Sequence, residues 1–395
     1  MRRMFPSRLF LALAACLLSV AAIAQLGPEA DGRIAVEIPD GVPLSVAAAE
    51  FGNSDFEARG GAMVIELSGL IRFRHEGGGA VRAVTLAVRA HEQMMGGRAA
   101  VSVPSLHAPR GEEFQVRLNL RMLRPLPAPP GPLVRISPDA VLFASLAAAG
   151  PDRLDSVRKM RVREMEARRD RSYFLAQWRA GGRSGLASAM QASLRRQAAR
   201  PRLDVRPGTT GPAVAAPAGS PREVRFAFLQ DGSVPVILER GTAMVRGTVS
   251  DAPRILLRNR SGRGIRRIDV GWLVHDSAGR AYSVGSAPME DAPGLGTGES
   301  LETSASGRFD IRAAQAGENL EIAGMSAYVR SVQMEDASVW VPSRDALQAS
   351  RLLDAVPVSA EEQRLSQMYR HRGPAAVVDE LRKLVGDVPQ AAARR

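Results

Sequence analysis

The sequence predicts a mostly β protein with helical segments: two tandem antiparallel β-sandwiches joined by a basic helical segment and followed by a C-terminal helical tail. Three observations predict this architecture, namely stretches of alternating apolar and polar residues, an internal repeat, and a confined excess of basic residues. The chain has 395 residues, of which 45% are hydrophobic and 24% charged. This length allows two to three domains, and the apolar content is that of a globular protein.

The first 24 residues have the layout of a secretory signal peptide. Three arginines without an acidic residue precede an apolar run from Leu9 to Ala24, and Ala22-Ile23-Ala24 offers small side chains before a cut at Gln25. The run is short for a membrane-spanning helix, which needs about 20 residues. We therefore predict a cleaved signal peptide at 1–24, a periplasmic or secreted location, and no transmembrane helix in the mature chain.

The single cysteine, Cys16, leaves a second interpretation of the leader open. Leu13-Ala14-Ala15-Cys16 resembles a bacterial lipobox, in which the cysteine becomes the lipidated first residue of an anchored lipoprotein. Ordinary cleavage is favoured because the segment from Leu17 to Ala24 stays apolar instead of forming a polar tether. The mature chain then has no cysteine, which excludes disulfides, thiol nucleophiles and Cys-ligated zinc.

Residues 33–147 form the first predicted sandwich domain. In its clearest strand, apolar and polar residues alternate from Phe114 to Met122, so that one face is buried and the other faces water. A turn at Arg110-Gly111-Glu112-Glu113 precedes this strand. The alternation is typical of an antiparallel sheet with one solvated side.

Residues 222–343 form the second predicted sandwich domain, which repeats the first at an offset of 184 residues. The segment from Ile71 to Arg74 matches the segment from Ile255 to Arg258, and a turn follows in each copy. The next strand matches in apolar phase at Val81, Arg82, Val84, Leu86, Val88 and Ala90 against Ile265, Arg266, Ile268, Val270, Trp272 and Val274. Both copies are therefore expected to bury the same face, as in tandem related domains. A hairpin around 335–338 is expected to end the second domain.

The turns of the second domain resemble those of a known family. The turn segments are Leu257-Arg258-Asn259-Arg260-Ser261-Gly262, His275-Asp276-Ser277-Ala278-Gly279 and Gly298-Glu299. A strand with Ile265, Ile268 and Val270 lies between the first two of them. This part of the chain resembles the core of Ig-like or fibronectin-III-like (FxLYD-type) sandwiches of exported bacterial proteins. Gly296-Thr297-Gly298 replaces the usual proline, and His275 stands where an aromatic residue is common. The resemblance implies Ig-like domains, which carry no fixed activity.

Residues 151–200 form the predicted basic helical segment between the two domains. The stretch 151–206 holds fifteen Lys or Arg against six Asp or Glu, whereas the rest of the mature chain is neutral. Gly181-Gly182 is expected to end one helix, and a second is expected to follow from about 184 to 199. We expect the end near Trp178 to dock and the middle of the first helix to be solvated.

This segment has two functional interpretations. One is an anion-binding face, for which the candidate contacts are Arg158, Lys159, Arg161, Arg163, Arg168, Arg169 and Arg171. The other is a solvated bridging helix in an arginine-biased sequence, because only two of the 53 basic residues are lysines. The arginines spread around the helix axis, which favours the bridge. We expect no nucleic-acid partner, since no aromatic residue is interleaved before Tyr173.

The remaining segments are a linker and a tail. Residues 207–221 are rich in Pro, Gly and Ala and are predicted to be a linker. Residues 357–387 are predicted to form C-terminal helices, which start at the capping box Ser359-Ala360-Glu361-Glu362 and are interrupted at Gly373-Pro374.

Motifs for catalysis and for metal binding are missing from the sequence. None of the histidines has a second histidine at metal-binding spacing, and each is expected at the surface: His75, His91, His107, His275 and His371. The nucleophile elbow, the P-loop and the complete dinucleotide fingerprint are also missing. We therefore predict no catalytic residue, cofactor or metal.

The expected function follows from this combination. We predict an exported, non-catalytic cell-envelope protein that binds or scaffolds an envelope protein or polysaccharide through its Ig-like domains. The alternative is a binder of anionic polymers or membrane surfaces that acts through the basic segment 151–206.

Overall fold

A computed structural model describes residues 32–128, 130–200, 203–208, 220–289, 294–304, 308–313 and 321–385. The protein is mostly β in these ranges. The predicted signal peptide, Cys16 and most of the linker 207–221 lie outside the described residues. Within the described ranges, no helix combines the length and the apolar character needed to cross a membrane.

The first module precedes the long helix. Its strands are β1 (Ile34–Val36), β2 (Leu44–Glu50), β3 (Asp55–Arg59), β4 (Ala62–His75), β5 (Val81–Arg89), β6 (Arg98–Val103), β7 (Glu113–Pro125), β8 (Val134–Phe143) and β9 (Ala148–Ala149). The helices are α1 (Ser156–Ala199), α2 (Arg344–Ala349), α3 (Leu352–Ala355) and α4 (Ala360–Val385).

The second module lies between α1 and α2. Its strands are β10 (Leu203–Gly208), β11 (Arg222–Phe228), β12 (Val236–Arg246), β13 (Val249–Asn259), β14 (Ile265–His275), β15 (Ala281–Met289), β16 (Ser300–Ser304), β17 (Arg308–Ala313), β18 (Gly324–Met334) and β19 (Val339–Trp340).

Two sheets of the first module face each other across one hydrophobic core. One sheet has the order β1-β8-β5-β6 and the other β2-β4-β3, with β7 paired to β4. Both sheets contribute to the core, which contains Ile65, Phe73, Leu86, Leu118 and Ile136. The predicted alternation is confirmed in β7, where Val116 and Leu118 are buried and Arg117 is exposed.

The sheet that contains β5 and β8 has no solvated side along these strands. Every residue of β5 from Val81 to Val88 is buried. Its core face packs inside the module, while Ala83, Ala140 and Leu142 form a separate cluster with Met160 of α1. Small side chains at Ala83 and Ala140 let the helix approach the sheet closely. Helix α1 therefore covers part of the face of this sheet that points away from the module core.

Several strand pairs of the first module recur in the second, although the strands of the second form one ten-stranded sheet. The antiparallel pair β14–β18 corresponds to β5–β8, and their ladders are irregular at equivalent places, after Asp269 and after Thr85. A parallel pair, β11–β18, corresponds to β1–β8. The predicted burial is confirmed in both copies for Val84, Leu86, Val88, Ile268, Val270 and Trp272. The predicted closing hairpin is also confirmed, as β18 and β19 pair at Val332 and Trp340.

The two long helices pack together beside the modules. Each is interrupted at a glycine with positive φ, Gly182 in α1 (φ 57°) and Gly373 in α4 (φ 76°), where a side chain would be strained. Both interruptions occur where the sequence predicts them. The apolar faces of the helices share a core of Phe174, Leu186, Met190, Leu365, Val377 and Leu381.

Helix α1 is bonded to both modules at its start. Asp139 of β8 accepts hydrogen bonds from the Arg153 N–H at 2.9 Å and from the Ser156 hydroxyl at 2.6 Å. A carboxylate at this position also favours the positive end of the helix dipole. On the opposite side, Arg158 Nη1 lies 2.9 Å from Asp269 Oδ2 of β14. These contacts fix the helix between the modules.

Candidate functional site

The charged residues of α1 converge with the start of α4 in a buried network, which we call the junction network. Its members are Glu164, Asp170, Arg171, Arg196, Arg344, Glu361, Glu362 and Arg364. Charged groups remain inside a protein only when they are paired and hydrogen-bonded. The network satisfies this condition with ion pairs that connect α1, α2 and α4.

One centre of the junction network is Arg171, whose side chain is 1% exposed. Its Nη2 donates to Glu164 Oε2 at 2.8 Å, and its Nε donates to Glu361 Oε1 at 3.0 Å. The second oxygen of Glu361 accepts a hydrogen bond at 2.5 Å from the hydroxyl of Ser105, a residue in the loop after β6. These bonds join α1, α4 and the first module at one point.

The other centre is Arg344, at the start of α2. Its Nη1 donates to Glu362 Oε2 at 2.5 Å and lies 3.4 Å from Asp170 Oδ1. Its guanidinium also stacks over the Tyr173 ring, 4.4 Å from the centroid. Arg196, near the end of α1, donates to the other oxygen of Glu362 at 2.6 Å.

The carboxylates of the network are held in their charged forms. Burial alone would raise the pKa of Glu361, but hydrogen bonding to Arg364 and the charge of Arg171 outweigh it and lower that pKa. Burial likewise opposes ionisation of Glu362, yet Arg344 and Arg196 lower its pKa below the ordinary value. A carboxylate paired in this way is a poor proton acceptor at neutral pH, which suits a structural role better than general-base catalysis.

The predicted capping box is only half formed. The Ser359 hydroxyl accepts a hydrogen bond from the Glu362 N–H at 3.0 Å, as the motif requires. It donates in turn to Asp170 Oδ2 at 2.5 Å. The Glu362 carboxylate binds Arg344 and Arg196 instead of returning to the start of its own helix. Sequence reasoning identified this cap but missed the network, since its partners are distant in the chain.

Most of the predicted anion contacts are occupied by groups of the protein itself. Arg158 binds Asp155 and Asp269, Lys159 donates to the Leu154 carbonyl, and Arg161 donates to the Leu146 and Ala337 carbonyls. Arg168 binds Glu164 and the Ala144 carbonyl, Arg169 binds Asp170 and the Pro342 carbonyl, and Arg171 binds Glu164 and Glu361. The expectation of a solvated middle of α1 is therefore wrong, because the arginines that spread around its axis meet neighbours on several sides.

Arg163 is the exception among the seven predicted contacts. It is exposed and has no hydrogen-bond or ion-pair partner among the described residues. It borders two cavities, one beside Ser105 and one beside Tyr328. Arg163 is therefore the member of the predicted set that remains available to a ligand.

The expectation of surface histidines is wrong for His75. This side chain is fully buried at the end of β4, with Nδ1 3.1 Å from the Ala108 carbonyl and its ring 5.8 Å from that of Phe143. Its neighbours come from segments that a local pattern does not bring together. Among the described residues, no group of three or more His, Cys, Asp or Glu could hold a metal ion.

An open groove borders the first module on the side of β2 and β4. It has a volume of about 620 Å³ and is lined by Glu50, Phe51, Asn53, Ser68, Gly69 and Arg117, among others. Asn53 and Arg117 are exposed and make no hydrogen bond with another described side chain. The groove therefore combines a wide opening with unoccupied polar groups, unlike the junction network.

Comparison with known proteins does not place the chain in a family. No family model matches it, and no curated protein matches it significantly. Its function is therefore inferred from the arrangement of its own residues.

Proposed function

We propose that the protein is an exported, non-catalytic cell-envelope protein that binds or scaffolds a protein or glycan partner through two Ig-like domains. The observation that carries this proposal is the bonding of α1 to both modules, which holds them in a fixed relative orientation. A scaffold requires such a fixed spacing. Acid–base catalysis requires titratable side chains that can exchange a proton with a substrate. The buried carboxylates of the junction network are instead held in ion pairs.

The strand pairing supports an Ig-like fold for both modules. An Ig-like sandwich pairs its second strand with its fifth and its third with its sixth. This spacing of three strands is present in the pairs β4–β7 and β5–β8 of the first module and β13–β16 of the second, while β14 pairs with β18, four strands later. Trp272 is buried on β14, the strand that carries a core tryptophan in antibody domains.

The turns that carry the family resemblance have well-defined roles. The Asn259 side chain is fully buried, accepts from the Ser261 N–H at 2.9 Å and donates to the Leu295 carbonyl at 2.9 Å. Asp276 accepts from the Arg280 N–H at 2.9 Å and from the Tyr282 hydroxyl at 2.8 Å. These polar side chains organise the hairpins from within, which supports the proposed resemblance.

A single side chain illustrates the coupling of the modules. Arg161 of α1 donates through Nε to the Leu146 carbonyl of the first module at 3.0 Å and through Nη1 to the Ala337 carbonyl of the second at 3.3 Å. Hydrogen bonds from a charged donor are worth about 1.5–3 kcal/mol each, which favours one arrangement over a flexible pair. We propose that the groove beside Asn53 and Arg117 is the partner-binding surface of this rigid unit.

Export is tested first, by intact-mass analysis of the mature protein from the periplasm or the medium. A chain that begins at Gln25 supports the proposal, and a chain that begins at Cys16 with acyl groups supports an envelope lipoprotein instead. A full-length chain found only in the cytoplasm would contradict export in either form.

Partner binding is tested with a photo-crosslinking residue at position 53 of the full chain, and with the same residue at exposed Arg195 of α1 as the control position. A defined envelope protein or glycan crosslinked from position 53 alone, and lost in Arg117→Ala, supports the proposal. The same products from both positions, or none from either, would contradict a binding surface in the groove. Retention on heparin above about 0.2 M salt would favour the anionic-polymer alternative.

A further inference from the structure

A second cavity lies between α1, the second module and the start of α4. Its volume is about 290 Å³. The charged and hydrogen-bonding groups considered for ligand binding in its lining are Arg163, Glu166, Arg169, Tyr328, Arg330 and the backbone of Ala360. Glu166 pairs with Arg330 at 3.5 Å, and Arg169 pairs with Asp170. Two of the three guanidinium groups in the lining are thus paired with carboxylates, and the charge of Arg163 favours an occupant with negative charge.

Tyr328 is the buried polar group of this cavity. The residue is 5% exposed, and its hydroxyl has no hydrogen-bond partner in the part of the chain that the structure describes. Burial raises the pKa of Tyr328 to about 12, although the charge of Arg330 opposes this, so the hydroxyl keeps its proton at neutral pH. Because Tyr328 lines the cavity, its hydroxyl can donate a hydrogen bond to an acceptor oxygen of a molecule bound there.

Two further donors border the same space. Arg163 is exposed and without a partner among the described residues, so its guanidinium is not neutralised within the protein. Ala360 is the first residue of α4, where a backbone N–H has no acceptor inside the helix. The neighbouring Ser359 hydroxyl caps Glu362 instead of Ala360. A guanidinium, a phenol and a helix N-terminus together make a donor set that suits an oxyanion.

We propose that this cavity binds the oxyanion group, phosphate or carboxylate, of a small soluble ligand. Arg163 provides charge, the Tyr328 hydroxyl and the Ala360 N–H provide hydrogen bonds, and Arg330 is held beside them by Glu166. The volume of about 290 Å³ is just below the range for small-molecule sites, about 300–1,000 Å³, which suits a small anion. The site is distinct from the partner groove of the first module and does not depend on it.

The test is isothermal titration calorimetry of the full chain with inorganic phosphate and with citrate at low ionic strength. We expect at least one of the two anions to bind. Tyr328→Phe keeps the ring and its packing and removes only the hydroxyl, while Arg163→Gln removes only an exposed charge. Each is expected to raise the dissociation constant about tenfold, the size of one lost hydrogen bond to a charged group.

Arg195→Gln is the matched control, because Arg195 is also exposed on α1 and unpaired among the described residues but does not line the cavity. It is expected to leave the dissociation constant unchanged. Circular dichroism melting curves establish that each variant is folded. The proposal is overturned if neither anion binds, if Tyr328→Phe and Arg163→Gln bind like the wild type, or if Arg195→Gln weakens binding equally.

Discussion

Arg171 Nε donates a hydrogen bond to Glu361 Oε1 at 3.0 Å, and this buried pair joins two helices through residues that are 190 positions apart in the chain. The side chains are 1% and 2% exposed. Burying two charges costs several kcal/mol per ion, so the pair adds little net stability by itself. Its effect is specific, because any other docking of α4 would separate Arg171 and Glu361 and leave each without one of its ion-pair partners. The pair therefore selects one arrangement of the helices.

Removing one partner of this pair is expected to be strongly destabilising. Arg171→Gln leaves the carboxylates of Glu164 and Glu361 buried without their shared cation, which costs about 3–5 kcal/mol. Urea unfolding followed by circular dichroism measures the change. Arg195→Gln, an exposed change on the same helix, is expected to stay within about 0.5 kcal/mol. Equal stability of the two variants would show that the Arg171 pair does not hold the helices.

The network also predicts a dependence of stability on acid. The pKa values of Glu361 and Glu362 are lowered in the folded state. Their contribution is therefore complete above the unfolded pKa of about 4.3 and is lost as the pH falls through the lower folded values. We expect the urea midpoint to fall steeply below about pH 4.3 in the wild-type protein.

Glu362→Gln is expected to reduce this acid-dependent loss, because the variant has one fewer carboxylate to protonate. Glu112→Gln, which changes an exposed glutamate, is expected to keep the wild-type profile. Midpoints measured between pH 7 and pH 3 compare the three proteins. A Glu362→Gln profile parallel to that of the wild type would show that Glu362 is not a source of the acid sensitivity.

The core of the second module is expected to depend on Trp272. This residue is 3% exposed and its ring lies edge-on to Phe226, with centroids 5.3 Å apart. Trp272→Ala is expected to cost about 3–5 kcal/mol through lost burial and the cavity left behind. Met244→Ala in β12, where the side chain is 44% exposed, is expected to change stability by less than about 0.5 kcal/mol. Melting temperatures that fall equally would place Trp272 outside the core.

Local patterns predicted the strands well and their surroundings poorly. The alternation in β7 and the apolar phase around Val84 and Ile268 depend on neighbours within one strand, and the structure confirms both. The ion pairs of α1 depend on residues up to 190 positions away, such as Glu361 for Arg171. The residue pattern within α1 does not indicate which distant acidic residues pair with its arginines. The basic character of the segment was visible in the sequence, but whether its charges meet acids or solvent was not.

Comparison of the two copies of the repeat likewise does not predict contacts with distant parts of the chain. Arg82 and Arg266 occupy matching positions, yet Arg82 is fully buried and donates to the Leu384 carbonyl of α4 at 2.7 Å, whereas Arg266 is exposed. A cation near a helix C-terminus is stabilised by the dipole of that helix. The first module differs from the second at this position because α4 docks on it, a contact that comparison of the two copies does not predict.

The close contact between Gly271 and Tyr328 gives the last prediction. A Cβ on Gly271 would lie 2.2 Å from Tyr328 Cζ, so Gly271→Ala forces the ring away from β14 and is expected to cost about 1–3 kcal/mol. Gly262→Ala, which meets nothing within 4 Å, is the control and is expected to be nearly neutral. In a Tyr328→Ala background the extra cost of Gly271→Ala should disappear, because the ring that it displaces is gone. A double-mutant cycle of urea midpoints measures this coupling. If Gly271→Ala costs the same with and without the ring, the strain arises from the backbone of β14 and not from Tyr328.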